Sequence, residues 1–174
     1  MKKAMFLMIM PVILLLCGCQ TTEYYGIENF SSFESSMEFN YNLLPGNEDF
    51  LDIYPYQNGD YYCYFDDHIW NIKIKSIVTL TYDSETYLEA KNHCITAFQF
   101  DPKPYRYNNY TIYERNYNSE SFTQEIRMFG FDDTAQCLVF FAYLDTKDKD
   151  KTVVLSDFKI FFEKEFQSSG VFPS

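Results

Sequence analysis

The sequence is poor in the residue types on which most catalytic and cofactor sites depend. It has two histidines, one tryptophan and six glycines, and no glycine stands close to another. A phosphate-binding loop needs closely spaced glycines, so none is indicated here. Basic residues are also few, since 14 Lys and Arg stand against 25 Asp and Glu, a formal net charge of -11. This balance argues against a protein that binds nucleic acid, which must neutralise phosphates.

An apolar run long enough to cross a bilayer is also missing. The longest such stretch, 4–17, contains Pro11 and is shorter than the roughly 20 residues of a transmembrane helix. A mean hydropathy of -0.30 excludes a polytopic membrane protein. At 174 residues the chain has room for one domain. Its 47% of hydrophobic residues argue against a wholly disordered chain.

The amino terminus has the layout of an export signal. Lys2 and Lys3 precede the apolar stretch, and polar residues follow from Gln20 onwards. The stretch ends in Leu-Cys-Gly-Cys at 16–19, which resembles the lipobox of bacterial lipoproteins, with a cysteine where a small residue is more usual. The resemblance implies cleavage before Cys19 and a diacylglycerol on its thiol. A lipid bilayer is therefore an expected partner, with the protein on the extracytoplasmic side of a cell membrane.

This interpretation divides the chain into three parts. We predict a signal peptide at 1–18, an acylated tether at 19–28 and a single globular domain at 29–174. The tether shows no clear apolar period, which is typical of a short spacer. Removal of 1–18 leaves 12 basic against 25 acidic side chains. We expect an anionic membrane surface to repel so acidic a body.

The domain is predicted to be α+β, with one mainly antiparallel sheet of about five strands and one or two helices packed on it. Apolar residues alternate with polar ones over 69–82, which indicates a strand with one buried and one solvent-exposed face. Further strands are expected at 60–65, 108–117, 122–131 and 136–144, with turns at 66–68 and 132–135. A helix is expected from Ser84 to Phe98, capped by Asp83 or Ser84. A second helix is expected at 156–167.

Three cysteines remain after Cys17 and Cys19 are set aside, namely Cys63, Cys94 and Cys137. An odd number does not form a complete disulfide framework. Each lies among apolar neighbours, which favours buried thiols that act as small hydrophobic side chains. A bridge from Cys63 to one of the other two is the alternative.

Candidate sites for chemistry are weak. Zinc-binding residue types occur as Cys63 with His68 and as His93 with Cys94, but without the CxxC spacing of a strong zinc motif. The run 145–150 lacks the Gly and Glu of a calcium-binding loop. Nothing resembles a nucleophile elbow. We therefore predict no metal or other cofactor and assign no catalytic residue. A small envelope hydrolase or metal-dependent enzyme is retained as the second hypothesis for the function, after the binding role described next.

Tyrosine is the most suggestive feature, with 16 Tyr beside 18 Phe. Exposed tyrosines form surfaces suited to protein or glycan contact. Tyrosine is also a good strand former, which offers a purely structural explanation. The leading hypothesis is a non-catalytic binding or interaction module for an envelope protein or glycan, and a structural lipoprotein without a ligand is the third. The candidate surface consists of Tyr61, Tyr62, Tyr64, Tyr105, Tyr107, Tyr110 and Tyr113.

Overall fold

A single seven-stranded antiparallel sheet dominates the computed structural model, which describes residues 19–30, 43–45, 49–68, 71–98, 100, 104–115 and 124–145. The strand order is β1-β2-β3-β7-β6-β5-β4. Besides a short 3-10 helix at Ile27–Asn29, these described residues include two helices, α1 at Phe50–Ile53 and α2 at Ser84–Ala97. The strands are β1 Cys19–Tyr25, β2 Asn58–His68, β3 Asn71–Thr81, β4 Tyr105–Tyr107, β5 Tyr110–Arg115, β6 Gln124–Asp132 and β7 Cys137–Asp145.

The α+β class and the antiparallel sheet are confirmed, but the prediction of about five strands was too low. One additional strand, β4, has only three residues and pairs with β5 across a turn at Asn108, whose φ is 50°. The other, β1, occupies part of the segment predicted as a spacer, 19–28, and pairs with β2 along its whole length. At the edge of the sheet its side chains are incompletely covered: Thr22 and Tyr24 are half-buried, and Thr21, Glu23 and Tyr25 are exposed. The strand therefore shows no strict apolar alternation.

The strands β2 and β3 form a long hairpin. The alternation over 69–82 correctly predicted β3, whose Ile74, Val78 and Leu80 are buried on the side that carries α2. The turn predicted at 66–68 was wrong, because these residues extend β2 until His68 pairs with Asn71. Asp66 lies directly opposite Lys73 in this register, and opposite charges at such positions favour strand pairing.

The core lies on both faces of the sheet. The first, which we call the helix face, packs against α2 through Tyr87, Ala90 and Cys94. The other, which we call the second face, was expected to be solvent-exposed in β3, but Ile77 is fully buried there. Neighbouring strands contribute Tyr62, Ile112, Met128, Val139 and Phe141 to the apolar cluster on this face.

Strand β7, predicted at 136–144, occupies the centre of the sheet. Phe140 belongs to the core of the helix face, and Phe141 to that of the second face. Both side chains are at most 1% exposed. A strand buried on both sides needs apolar residues at every position.

Helix α2 begins as the sequence predicts. The Asp83 carboxylate accepts hydrogen bonds of 3.0 Å from the backbone N–H groups of Glu85 and Thr86, which caps the first turn. Hydrogen bonds to the carboxylate also lower the pKa of Asp83. The second predicted helix, 156–167, lies outside the described residues.

Candidate binding surface

The predicted tyrosine surface is not one surface. Tyr61 is 1% exposed and packs edge-on against Phe30, with 5.4 Å between ring centroids. It belongs to the core of the helix face, so its assignment to an interaction surface was wrong. The cause is the period of a strand, because Tyr61 and Tyr62 are neighbours in β2 and their side chains point to opposite faces.

The tyrosines near the other edge of the sheet are also divided. Tyr110 is buried on the second face, and Tyr107 packs against the same cluster. Tyr113 is half-buried and packs against the ring of Phe100, 5.1 Å between centroids. The side chain of Tyr105 lies outside the described residues, although its backbone pairs with β5. These residues do not adjoin Tyr62 and Tyr64, since strands β3, β7 and β6 lie between β2 and β5.

Two of the predicted tyrosines do come together with residues that sequence reasoning did not single out. Their side chains share the second face at its β1 edge, where Glu23 pairs with Tyr64, Tyr64 pairs with Lys75, and Tyr25 pairs with Tyr62. We call this group the β1–β2 cluster. It consists of Glu23, Tyr25, Tyr62, Tyr64, Asp66 and Lys75.

Glu23 organises the exposed end of the β1–β2 cluster. One carboxylate oxygen accepts a hydrogen bond of 2.8 Å from the Tyr25 hydroxyl, and the other accepts one of 3.4 Å from the Tyr62 hydroxyl. The two tyrosine rings lie 5.1 Å apart at 49°. Tyr25 is 55% exposed, whereas Tyr62 is buried. The cluster therefore presents one aromatic ring to solvent, backed by a second ring and a carboxylate.

The hydrogen bond to Glu23 also raises the pKa of Tyr25, with smaller contributions from burial and from the charge of Glu23. A carboxylate that accepts a hydrogen bond favours the neutral phenol. The Tyr25 hydroxyl thus serves as a hydrogen-bond donor to Glu23.

Asp66 and Lys75 complete the cluster towards the hairpin end of β2 and β3. Asp66 accepts hydrogen bonds from the hydroxyls of Thr21, 3.1 Å, and Tyr64, 3.3 Å. The Lys75 ammonium lies 5.2 Å from the ring centroid of Tyr62 and 5.7 Å from that of Tyr64. Lys75 is only 7% exposed. Cation–π contacts with two rings help to stabilise its charge at this depth.

The sequence contained a partial sign of this cluster. Lys73 and Lys75 alternate with apolar residues in β3, which places them on one face with the even-numbered residues of β2. Glu23 and Tyr25 were missed because 19–28 was interpreted as a spacer. Without β1, the cluster lacks its exposed ring and its central carboxylate.

The three cysteines are free and buried, which confirms their interpretation as small hydrophobic side chains. Cys63 lies in the core of the helix face and Cys137 in that of the second face, so the sheet separates these two thiols. Burial raises the pKa of Cys63 to about 11 and also raises that of Cys137. A buried protonated thiol is a poor nucleophile and a poor metal ligand.

In the part of the chain that the structure describes, His93 is not brought together with the cysteines as a metal site. His93 Nδ1 forms a hydrogen bond of 2.9 Å with the Tyr54 hydroxyl. Its ring also packs edge-on against Phe50, which joins α2 to α1. The side chain of His68 lies outside the described residues. Among the residues that the structure describes, no three His, Cys, Asp or Glu side chains are grouped so as to hold a metal ion.

Comparisons with other proteins do not identify a relative. No model of a known family, no curated protein and no solved structure matches this chain. Within the described segments, no helix has the length and apolar character needed to span a membrane. The residues of the β1–β2 cluster are therefore the basis for assigning a function.

Proposed function

We propose that the protein is a membrane-anchored lipoprotein of the bacterial envelope and acts as a non-catalytic binding module through the β1–β2 cluster. The observation that carries the binding function is the exposed ring of Tyr25, which is supported by Tyr62 and hydrogen-bonded to Glu23. A ring held in this way offers a large contact area at small cost in conformational entropy.

An envelope glycan suits this arrangement best. The apolar face of a sugar ring stacks on an aromatic side chain, while its hydroxyls donate to carboxylates such as those of Glu23 and Asp66. The Glu23 carboxylate has oxygen lone pairs beyond those engaged by the hydroxyls of Tyr25 and Tyr62. No cofactor is part of this proposal.

A protein partner is the second candidate, and the position of β1 favours it. The strand stands at the end of the sheet order and, within the described residues, pairs with β2 alone. A strand at the edge of a sheet is a template for an extended peptide, which adds as a further strand through backbone hydrogen bonds.

The proposed absence of catalysis is supported by the state of the candidate groups. A hydrolase that used a cysteine would need an accessible thiolate, whereas the described thiols are buried. His93 is engaged by Tyr54 and by aromatic rings. A structural lipoprotein is the remaining alternative, and it differs from our proposal by having no ligand.

The binding function is tested with the full-length lipidated protein in detergent micelles, titrated calorimetrically with peptidoglycan fragments and envelope glycans. We expect Tyr25→Ala to weaken binding at least tenfold. Leu88→Ala is the matched control, because Leu88 is similarly exposed at 56% but lies on α2. Equal binding by both variants would remove the β1–β2 cluster from the proposal. Binding of an envelope protein but no glycan, detected by crosslinking at β1, would favour the second candidate.

The lipid anchor is tested separately by mass spectrometry of the amino-terminal peptide from membranes. We expect a diacylglycerol on Cys19 and none in Cys19→Ala, which should also leave the protein unprocessed. Cys17→Ala is the control and should remain acylated, since small residues are usual at that place of a lipobox. A Cys19 thiol without lipid in the mature protein would overturn this part of the proposal.

A further inference from the structure

If Cys19 carries the lipid, no flexible residues separate the lipid from the folded sheet. Strand β1 begins at Cys19, whose backbone pairs with His68, and continues in register to Tyr25. Directly afterwards, the N–H of Gly26 donates a hydrogen bond of 2.9 Å to the carbonyl of Tyr61. The acylated residue is therefore the first residue of the folded sheet, with no spacer between them.

Cys19 marks one particular end of the sheet. Its partner His68 ends β2 and pairs with Asn71, the first residue of β3. Ile72 and Lys73 follow, and Ile72 is 38% exposed. The Lys73 ammonium lies 5.5 Å from the ring centroid of Tyr143. This end of the β2–β3 hairpin, which we call the anchor end, thus presents Ile72 together with Lys73, which lies between Asp66 of β2 and Asp145 of β7.

The opposite end of the sheet is acidic. It lies ten residues away along β3, which corresponds to about 33 Å at the rise of a strand. We call it the distal end. The carboxylates exposed there belong to Asp60 in β2, to Asp83 and Glu85 at the start of α2, and to Asp133 in the turn after β6, where Asp133 forms an ion pair with Lys91. An anionic bilayer repels such a group.

We infer that the domain stands on the bilayer with its anchor end against the lipid and its distal end farthest from it, an arrangement that rests on the lipid anchor proposed above. Because no flexible residues separate Cys19 from β1, the lipid holds the anchor end at the membrane surface. Repulsion between anionic lipid and Glu23 opposes a domain that lies along the β1 edge. Ile72, which is 38% exposed, is suited to contact with acyl chains.

This orientation limits which ligand reaches the β1–β2 cluster. Glu23 and Tyr25 lie four and six residues from Cys19 along β1, so they stand about 13–20 Å above the attachment point. A partner must therefore come within that distance of the lipid surface. A glycan linked to lipid, or the membrane-proximal part of a polymer, meets this condition.

The orientation is tested with the full-length lipidated protein in vesicles of phosphatidylcholine and phosphatidylglycerol. Two variants that each add one exposed cysteine, Ile72→Cys and Asn58→Cys, are labelled with an environment-sensitive fluorophore, and lipids carrying a headgroup spin label serve as the quencher. Both sites are exposed, and Asn58 pairs with Thr81 at the distal end. The native Cys63, Cys94 and Cys137 are buried, so they should not react in the folded protein.

We expect most of the fluorescence to be lost at position 72 and none at position 58. Equal quenching at both sites would show that the domain lies flat on the membrane. Stronger quenching at position 58 would show that the domain is inverted. Either result overturns the inference. A flexible Gly-Ser insertion after Cys19 should abolish quenching at 72 without lowering Tm, and retained quenching would contradict the direct attachment of the lipid to the folded sheet. Mass spectrometry of the same sample separates the two proposals. A chain that carries no lipid on Cys19 would overturn the proposed lipid anchor, whereas a lipidated chain that lies flat or inverted would overturn only the orientation.

Discussion

The hydroxyl of Tyr87, on α2, donates a hydrogen bond of 2.6 Å to the carboxylate of Asp133, in the turn between β6 and β7. The Lys91 ammonium, one helical turn further on, binds the same carboxylate oxygen and lies 3.8 Å from the ring centroid of Phe131. One surface carboxylate thus joins the helix to a hairpin of the sheet. Both partners lower the pKa of Asp133.

Replacement of this carboxylate should weaken the attachment of the helix. We expect Asp133→Asn to lower the free energy of unfolding by about 0.5–1 kcal/mol at neutral pH, since the Asp133 side chain is 63% exposed and solvent screens the interaction. Urea unfolding followed by circular dichroism measures the difference. Thr134→Ala, which changes the next residue in the same turn, should have a smaller effect.

The stability from Asp133 should also depend on pH. Its pKa is lower in the folded protein than the ordinary value of 3.8. The contribution is therefore complete above about pH 4 and disappears as the pH falls through the lower folded-state pKa. We expect the difference between wild type and Asp133→Asn to shrink below pH 4. A constant difference from pH 7 to pH 3 would contradict the ion pair as its source.

Tyr82 offers the opposite case to Tyr87. Its side chain is 2% exposed, and its hydroxyl has no hydrogen-bond partner within the described part of the chain. A buried unsatisfied hydroxyl destabilises the folded state. We expect Tyr82→Phe to leave the free energy of unfolding unchanged or raise it by about 1 kcal/mol. Tyr87→Phe, the same chemical change at a bonded hydroxyl, should lower it, and equal losses in both variants would contradict the assignment.

Sequence periodicity predicted those helices and strands in which buried and exposed side chains lie on different sides. Strand β3 and helix α2 have one apolar side each, and β7 is apolar on both sides because it lies mid-sheet. Within α2, the apolar residues Leu88 and Ile95 are exposed, because only the side of the helix that meets the sheet is covered.

The β1–β2 cluster shows what sequence reasoning missed. Strand register, which decides that Lys75 lies between the rings of Tyr62 and Tyr64, depends on pairing between distant segments. Residue type alone did not show that Tyr61 and Tyr62 lie on opposite faces of the sheet, although neighbouring side chains in a strand alternate between the two faces. Strand β1 was missed because an edge strand is specified by its partner as much as by its own residues.

The buried thiols give a prediction about reactivity. In the folded protein we expect no reaction of Cys63, Cys94 or Cys137 with a disulfide reagent at pH 8, because burial excludes the reagent and the pKa of Cys63 is about 11. In denaturant all three should react. Absorbance of the released thiolate gives both counts. A thiol that reacts quickly in the native state would restore a cysteine-dependent enzyme as a serious alternative.

Gly130, in β6, leaves space on the second face for the side chains of Ile112 in β5 and Val139 in β7. A methyl group at this position would lie 2.8 Å from a methyl carbon of Val139 and closer still to the Cδ1 atom of Ile112. We expect Gly130→Ala to lower the free energy of unfolding by about 1–3 kcal/mol through overpacking. Urea unfolding measures the loss.

The matched control for Gly130→Ala is a double-mutant cycle with Ile112→Val, which removes the Cδ1 atom nearest the new methyl group. Ile112→Val alone should lower stability by about 0.5–1.5 kcal/mol, since Ile112 is buried. In the double variant the added methyl group occupies the space that Cδ1 leaves. The combined loss should therefore be smaller than the sum of the single losses, by at least about 0.5 kcal/mol. Additive losses would mean that crowding against Ile112 is not the reason for glycine at this position.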